Sequence, residues 1–413
     1  MREQSIFSKN FMLVAIGRVV SAFGNQILRY ALPLYLLIQT GSSALFGSIM
    51  AASFVPMILL FPIGGIIADR LNKRNIMLVL DLCTAILISV FCLLSGKVDV
   101  VPLMAITMII LYGLDGADRP AVKASVPALV SEKHIMKANS VIDMVDSTAS
   151  MAGPVTGGLL FAAFGLMPIL YISIGCFFAS VVMDAFIHIP FEKRESSGNI
   201  FSVSISDLKE SFRFMFKERP ILWKISFVFA ASNLLLTALI LIGLPVIITQ
   251  QLGFAADTAN RLYGYAQGMF AAGAILGGAL AGVLSGKLKS KTGSILLIGC
   301  SLFVIIGGAA LQMLTASMAV YIVLIIACGL LLTTHTIFQI QMMTYLQILT
   351  PENLIGKVIS CFMCVVMCTM PLGQVIYGFA FEHIGQSSYL LFYVAGVIMI
   401  GISIISRRVF LQH

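Results

Sequence analysis

The chain contains an internal repeat. The ten residues from Gly65 to Arg74 return in weaker form 217 positions later, from Gly282 to Lys291. Pro154 and Pro371 are separated by the same 217 positions, and each stands inside a long apolar run. The chain is therefore built from two homologous halves, and each half must supply the same set of structural elements.

The apolar runs indicate what those elements are. Twelve runs, six in each half, are long enough for a helix that crosses about 30 Å of hydrocarbon, which takes about 20 residues. They cover residues 11–38, 43–67, 75–95, 100–122, 138–163, 166–189, 220–250, 260–286, 294–315, 317–345, 355–380 and 387–406. Only 11% of the residues are charged, against about 25% in soluble domains, so a soluble fold is excluded.

These runs predict an all-α membrane protein with twelve transmembrane helices. Two six-helix bundles, residues 1–189 and 220–413, are expected to be related by a pseudo-two-fold axis along the membrane normal, with a central cavity between them. Residues 190–219 form a cytoplasmic linker that opens with a polar, flexible stretch. Its second part predicts an amphipathic helix at the membrane surface or, as an alternative, a helix that binds a partner. The apolar positions of this helix are Leu208, Phe212, Met215 and Phe216.

Basic residues predict the orientation of the helices. If both termini are cytoplasmic, 22 of the 26 lysines and arginines fall in cytoplasmic segments. The other four are Lys97 and Arg261 outside, and Arg18 and Arg29 within the first run. Because cytoplasmic loops are enriched in lysine and arginine, we predict a multi-pass protein of the cell membrane with both termini in the cytoplasm. This bias also explains the net charge of +8 without any nucleic-acid partner.

Motifs for nucleotide hydrolysis and for metal chemistry do not occur in usable form. Residues 282–288 come nearest to a phosphate-binding loop, but they have three residues between the glycines where four are needed, and a leucine where Ser or Thr must stand. The five histidines are scattered, so we expect no enzyme, no bound cofactor and no metal. Cys361, Cys364 and Cys368 share a helix face and are better explained as packing residues than as a metal site. Transport would then be driven by an ion gradient or by the solute's own gradient.

The segment from Gly65 to Arg74 resembles the signature between the second and third helices of the major facilitator superfamily. The matching positions are Gly65, Ala68, Asp69 and Arg70, with the charges of Lys73 and Arg74 exchanged and Asn72 in place of a glycine. The likeness to this transporter family covers the whole chain. It implies the two-bundle fold described above and solute transport by alternating access.

The same resemblance implies a gate formed by Gly65, Asp69, Arg70, Lys73 and Arg74. In the family, the aspartate caps the N-terminus of the eleventh helix, which here begins near residues 354–357, and holds one state closed on the cytoplasmic side. A carboxylate is stabilised there by the positive end of the helix dipole. The alternative is a positive loop that only sets the orientation of the chain, which explains the basic residues but not the single acid.

Other segments resemble the exporters of the family. Residues 23–26, 31–33 and 138–140 are similar to the macrolide-efflux-like subgroup. The glycine-rich segment of the fifth helix resembles the signature of the antiporters, and its residues are Gly153, Pro154, Gly157 and Gly158. Small residues that allow close packing and a proline that kinks the helix explain this segment equally well.

All intramembrane acids lie in the first half of the chain. They are Asp81, Asp115, Asp118, Asp143, Asp146 and Asp184, and each is expected within about 12 Å of the cytoplasmic face. Asp143 and Asp146 are the first candidates for proton coupling because they stand beside the glycine–proline segment, and Asp115 and Asp118 are further candidates. A structural layer of salt bridges between the first, fourth and fifth helices is an equal alternative.

The first helix carries the candidate residues of a substrate cavity, which are Arg18, Asn25 and Arg29. Arg18 has acids at its own depth, whereas Arg29 is expected about 27 Å from the cytoplasmic boundary with no acid at its level. Arg29 would then contact water or a substrate with an acidic group, or extend to the outer headgroups.

These observations together predict a proton-coupled exporter of an amphipathic or hydrophobic small molecule. The expected partners are that small molecule and the lipid bilayer, with the chain acting as a monomer and binding no nucleic acid. Two alternatives stay open at this point. The first is proton-coupled uptake of a metabolite, and the second is a membrane receptor or assembly partner that does not transport.

Overall fold

The computed structural model describes residues 9–131, 134–188, 214–284, 292–350 and 355–411. All regular secondary structure in these ranges is helical. A helix satisfies its backbone hydrogen bonds within one segment, which is what a chain of this composition needs in hydrocarbon.

Six long helices form in the first half of the chain. They are α1 (Lys9–Thr40), α2 (Ser43–Arg70), α3 (Lys73–Leu94), α4 (Val100–Leu129), α5 (Ile135–Phe164) and α6 (Leu166–Phe186). The turns between them are short, and Gly41 and Gly165 adopt positive φ angles at two of these turns, a conformation that glycine adopts without steric cost.

Six more long helices form in the second half. The seventh, α7 (Pro220–Gln251), contains two π-helical segments, Asn233–Thr237 and Ile247–Gln251. The others are α8 (Ala256–Leu284), α9 (Thr292–Met313), α10 (Ser317–Leu349), α11 (Ile355–Ile384) and α12 (Tyr389–Leu411). A short π-helical turn at Phe214–Glu218 and a 3₁₀ turn at Gly385–Ser387 complete the regular structure of the described residues.

The all-α prediction is confirmed, and each predicted apolar run corresponds to one of these helices. Eleven helices within the described residues are long and apolar enough to cross a membrane, and α5 is the twelfth long helix. Of the predicted linker, residues 190–213 lie outside the described residues, including the predicted amphipathic positions Leu208 and Phe212. Met215 and Phe216 belong to the turn Phe214–Glu218.

The helices are grouped in two compact units. The first unit contains residues 1–41, 49–197 and 256–265, and the second contains residues 42–48, 198–255 and 266–413. The start of α2 therefore belongs to the second unit and the start of α8 to the first, although the sequence placed each whole helix in the bundle of its own half.

Each unit has its own packing. In the first unit, α1 packs against α5, α6 and α4, and α3 packs against α6 and α4. A buried apolar cluster that includes Phe11, Met77 and Val126 fills the predicted cytoplasmic end of this unit. In the second unit, α9 packs against α10 and α12, and α11 packs against α7. The helix α1 thus lies at the centre of the first unit, where its polar residues must find partners inside the protein.

Candidate functional site

The polar face of α1 forms the first part of the candidate site. Arg18, Ser21, Asn25 and Arg29 recur at three- and four-residue steps, which places them along one side of the helix. Arg18 is buried between α4 and α5. Its Nη1 donates to Asp118 Oδ2 at 2.5 Å, and its Nε donates to Asp146 Oδ1 at 2.7 Å. This guanidinium therefore joins three helices of the first unit.

Asp115 on α4 is the centre of a second group of contacts. Its Oδ2 accepts from Arg29 Nη1 at 2.8 Å and from Arg119 Nε at 3.1 Å, and its Oδ1 accepts from Asn25 Nδ2 at 3.1 Å. The guanidinium of Arg29 also lies over the ring of Tyr112, 4.1 Å from the ring centroid, which is a cation–π contact. The carboxylate is buried, and these bonds replace the water that it would otherwise need.

One expectation for Arg29, that no acid lies at its own depth, was wrong. The sequence left this arginine without an acid at its own depth, and offered a substrate or the outer headgroups as its surroundings. In the structure its side chain is only 16% exposed and is paired with Asp115. Asp115 therefore accepts a hydrogen bond from this guanidinium inside the protein.

The cause of the error is the length of α4. The apolar run ends at residue 122, but the helix continues past Pro127 to Leu129. Asp115 is thus 14 residues from that end of the helix, about 21 Å. Asn25, which bonds to it, is 16 residues from Lys9, about 24 Å along α1. Arg29 is one turn further on and reaches back, because helical side chains lean toward the N-terminus.

The two groups of contacts form one electrically balanced network, which we call the charge network. Its cations are Arg18, Arg29 and Arg119, and its anions are Asp115, Asp118 and Asp146. It connects α1, α4 and α5, as in the salt-bridge layer that the sequence offered as an alternative to coupling. Ionised groups are tolerated inside a membrane when they are paired in this way.

The structure separates the two acids of α5. Asp143 pairs with Lys123 at 2.9 Å, but both side chains are 57% exposed, and such an exposed pair contributes little to stability. Asp146 is 26% exposed and belongs to the charge network. The two residues are three positions apart, yet only the second is bound to a buried arginine.

Two further acids of the first unit were not among the candidates for coupling. Asp81 on α3 lines a small polar cavity of about 10 Å³, room for about one water molecule, together with Arg18, Asn25 and Asp118. Asp184 on α6 is 1% exposed, and neither carboxylate oxygen has a hydrogen-bond partner among the described residues. The signal in the sequence was a single acid within the otherwise apolar run of α6.

Comparison with known protein families matches residues 14–373 to the Major Facilitator Superfamily. The chain belongs to this superfamily. It is therefore a membrane transporter and not an enzyme. The predictions of the family and of its fold are confirmed.

Among curated proteins, the transporter is similar to the MFS-type transporter YfiS of Bacillus subtilis, with 25% identity over 96% of this chain and 92% of that protein. It is also similar to macrolide efflux protein A of Streptococcus pyogenes, with 23% identity over 98% and 97% of the two chains. Multidrug efflux pump Tap of Mycolicibacterium fortuitum is 24% identical over about half of each chain, 49% and 51%.

Solved structures agree on the fold. A bacterial homologue of the human lysosomal transporter Spinster superimposes with a TM-score of 0.71 over 97% of both chains, at 14% identity. A bacterial homologue of the iron transporter ferroportin superimposes with a TM-score of 0.70, at 16% identity.

The glycine–proline segment of this transporter brings α5 close to α1 and to the start of α8. A Cβ atom on Gly153 would lie 2.5 Å from the Cβ of Gln26, and one on Gly158 would lie 2.7 Å from the Cα of Gly264. Gly157 faces Tyr30, and Pro154 lies inside α5. These contacts belong to the first unit and show the close packing that was one of the two explanations for the segment.

A contact at the start of α2 was not predicted. Glu382, near the end of α11, accepts hydrogen bonds from Ser43 Oγ and from the backbone N–H of Ala44, both at 3.1 Å. Ser43 Oγ also lies 3.0 Å from the carbonyl oxygen of Gly378. A carboxylate at this position caps the N-terminus of α2 and complements its helix dipole. We call this the α2 cap, and all its residues belong to the second unit.

The predicted gate can be located only in part. The surroundings of Gly65 and the side chains of Asp69 and Arg70 are not among the described parts of the chain, and neither are residues 351–354. The contact of Asp69 with the eleventh helix therefore stays a prediction. Lys73 begins α3 and is partly buried. Arg74 donates to the carbonyl oxygens of Asp184 at 3.0 Å and of Ala185, and so bonds to carbonyl groups in the last turn of α6.

The second unit carries a neutral polar cluster at the first π-helical segment of α7. Asn233 Oδ1 lies 3.5 Å from Gln339 Nε2 and 3.5 Å from Thr237 Oγ1, distances at the outer limit of hydrogen bonding. One residue earlier, Ser232 Oγ lies 3.1 Å from His335 Nε2. Single π-helical turns within helices are frequent at functional sites. This cluster was not predicted from the sequence because its residues carry no charge.

The three cysteines of α11 are placed without any histidine or acid that would complete a metal site. Cys361 is buried and Cys368 is exposed, whereas the side chain of Cys364 lies outside the described residues. Within the described part of the chain, no group of three His, Cys, Asp or Glu residues is arranged to hold a metal ion.

Proposed function

We propose that this transporter exports amphipathic or hydrophobic small molecules across the cell membrane in exchange for protons, by alternating access. The charge network is the observation that carries the proposal. Relatives whose names describe macrolide and multidrug efflux support the direction and the class of substrate. The apolar helices of both units suit a substrate that is itself largely apolar.

The charge network contains a carboxylate that can exchange its proton without disrupting the rest. Two carboxylates share Arg18, whereas two arginines share Asp115. Asp146 is the more exposed of the two partners of Arg18, at 26% against 13% for Asp118. A proton on Asp146 would weaken its bonds to Nε at 2.7 Å and Nη2 at 3.2 Å, while Asp118 keeps Arg18 paired.

Proton binding at Asp146 would change the packing of α5. Asp146 is the member of the charge network on α5, whereas Asp118 is on α4, so loss of its bonds removes the link between α5 and Arg18 of α1. The same helix carries Pro154 and the close contact of Gly158 with the start of α8. A helix that is held in one protonation state and released in the other is the bistable element that coupled transport requires.

The polar cluster around Asn233 supports an amphipathic substrate. Its amide and hydroxyl groups are at distances that leave hydrogen-bonding capacity for a ligand, and none of them is charged. A substrate with an apolar body and a few uncharged polar groups matches this chemistry.

The remaining features of the proposal concern the setting of the protein. Both termini and the linker lie in the cytoplasm, as the distribution of lysine and arginine predicts. The chain works as a monomer in the lipid bilayer, needs no bound cofactor, and draws its energy from the proton gradient.

The proposal is tested with the purified protein in lipid vesicles, with a macrolide as probe and an imposed pH gradient. For an exchange of one proton per substrate, each pH unit sustains up to about tenfold accumulation on the side from which protons move. Asp146→Asn should abolish this accumulation and leave exchange of labelled for unlabelled probe at equal pH. Asp143→Asn is the matched control, since it neutralises the exposed acid three residues away, and it should accumulate probe like the wild type.

Two results would contradict the proposal. Accumulation of probe on the opposite side of the membrane would indicate symport and uptake. Wild-type flux that does not respond to the pH gradient would remove proton coupling.

A further inference from the structure

Within the described part of the first unit, two buried carboxyl groups have no ion-pair partner. The three arginines of the charge network are bonded to Asp115, Asp118 and Asp146. Asp81 and Asp184 are additional acids in the same interior, and both are buried. If both were ionised, the region would carry two negative charges that no described ion pair compensates.

The surroundings of Asp184 do not suit an ionised group. Its side chain is 1% exposed, and among the described residues no hydrogen bond reaches either oxygen. On the side of α1 it faces Gly17, where an added Cβ would lie 3.8 Å from Oδ1. Arg74 is nearby, but its described hydrogen bonds go to the main-chain oxygens of Asp184 and Ala185.

The helices around α6 supply few other charges. α6 packs against α1, α3 and α5. The described charged groups that act electrostatically on Asp184 are Asp81 and Arg74 on α3 and Asp118 on α4. Arg18 is already held by Asp118 and Asp146, and Asp143 is held by Lys123 at the surface.

Asp81 links this region to the charge network. It lines the small polar cavity that also borders Arg18 and Asp118. Its helix, α3, packs directly against α6. Asp81 therefore shares a polar space with Arg18, the residue that bonds to Asp146, the partly exposed member of the charge network.

Burial of an ionised carboxylate without partners is so costly that the group takes up a proton instead. We propose that Asp184, with Asp81 beside the polar cavity, forms a second proton-binding site of the transporter, occupied at neutral pH and separate from the charge network. The occupancy of this site stands on the structure alone. Its use as a source of the exchanged proton rests on the proposed proton-coupled export.

Infrared spectroscopy of the full-length protein in detergent tests the occupancy without a substrate. The wild type at neutral pH should show the carbonyl stretch of a protonated carboxylic acid, shifted in heavy water. Asp184→Asn should lose at least about half of this band, since it removes one of the two proposed protonated acids. Asp143→Asn, at an exposed acid paired with Lys123, should retain the band. An unchanged band in Asp184→Asn would overturn the proposal.

Thermal unfolding provides a second measurement. Asparagine mimics the protonated acid, so Asp184→Asn should fold and should lack one loss of stability of the wild type. That loss begins at about pH 4, where the unfolded chain ionises this acid, and continues until the buried group itself ionises. Parallel loss of stability with rising pH in both proteins would also count against the site.

The role in coupling is tested in vesicles. With a gradient of two pH units, exchange of one proton per macrolide sustains an accumulation of up to about a hundredfold. Asp184→Asn should reduce the accumulation at least about tenfold. Normal accumulation by this variant would overturn the coupling role. If the wild type itself does not respond to the gradient, the proposed function fails, and the infrared result still decides whether Asp184 holds a proton.

Discussion

Replacement of Arg29 by glutamine is the sharpest test of the charge network. In the structure Arg29 donates to Asp115 at 2.8 Å and covers the ring of Tyr112 at 4.1 Å. Removal of one partner of a buried ion pair costs about 3–5 kcal/mol. Because Asp115 keeps its bonds from Arg119 and Asn25, we expect the lower end of this range, a loss of about 3 kcal/mol in the free energy of unfolding.

A double-mutant cycle isolates the pair. Asp115→Asn alone leaves Arg29 buried beside a neutral amide and should also destabilise the protein. The double variant should be more stable than the sum of the two single losses indicates, with a coupling energy of about 2 kcal/mol. Tyr112→Phe is the control, since it keeps the ring under the guanidinium and should change stability by less than about 0.5 kcal/mol.

Unfolding in mixed detergent micelles can be followed by the fluorescence of Trp223, because the chain contains one tryptophan. Stability losses below about 0.5 kcal/mol in Arg29→Gln, together with a coupling energy near zero, would refute the reasoning. They would mean that Arg29 extends to the outer headgroups and that its pairing with Asp115 contributes nothing.

Three other predictions concern contacts between helices, and a fourth concerns the orientation of the chain. Glu382→Gln weakens the α2 cap by about 0.5–2 kcal/mol, a shift of about two- to thirtyfold, so cysteine labelling near Ser43 should increase while Glu382→Asp is affected less. Gly158→Ala should reduce transport strongly, because its Cβ would lie 2.7 Å from Gly264. Gly278→Ala, at a position with open space, should be normal, and equal activity of the two would contradict the packing argument. Asp69→Asn should reduce transport with near-normal expression and shift cysteine accessibility toward the inward-open state, and wild-type transport would reduce the motif to a topogenic loop. Reporter fusions at both termini and in the linker should all report the cytoplasm, and one external result would refute the predicted orientation.

The sequence by itself determined the membrane location, the twelve helices and the family. These properties are local or additive. The length and hydrophobicity of each run decide whether it crosses the bilayer, and the backbone then has to be helical because hydrocarbon offers no other hydrogen-bond partners. The motif from Gly65 to Arg74 identified the family because its residues are adjacent in the chain.

The partners of the charged residues were decided only by the tertiary structure. Arg29 and Asp115 are 86 positions apart, and their meeting depends on how far α4 continues beyond its prolines and on the direction of a long side chain. Glu382 and Ala44 are 338 positions apart, and nothing in either segment indicates the other. Asp143 and Asp146 are three positions apart in one helix, yet one is exposed and the other is bound to Arg18. Pairing and burial depend on the depth, the rotation and the neighbours of each helix, which follow from the packing of all helices together and not from any one segment.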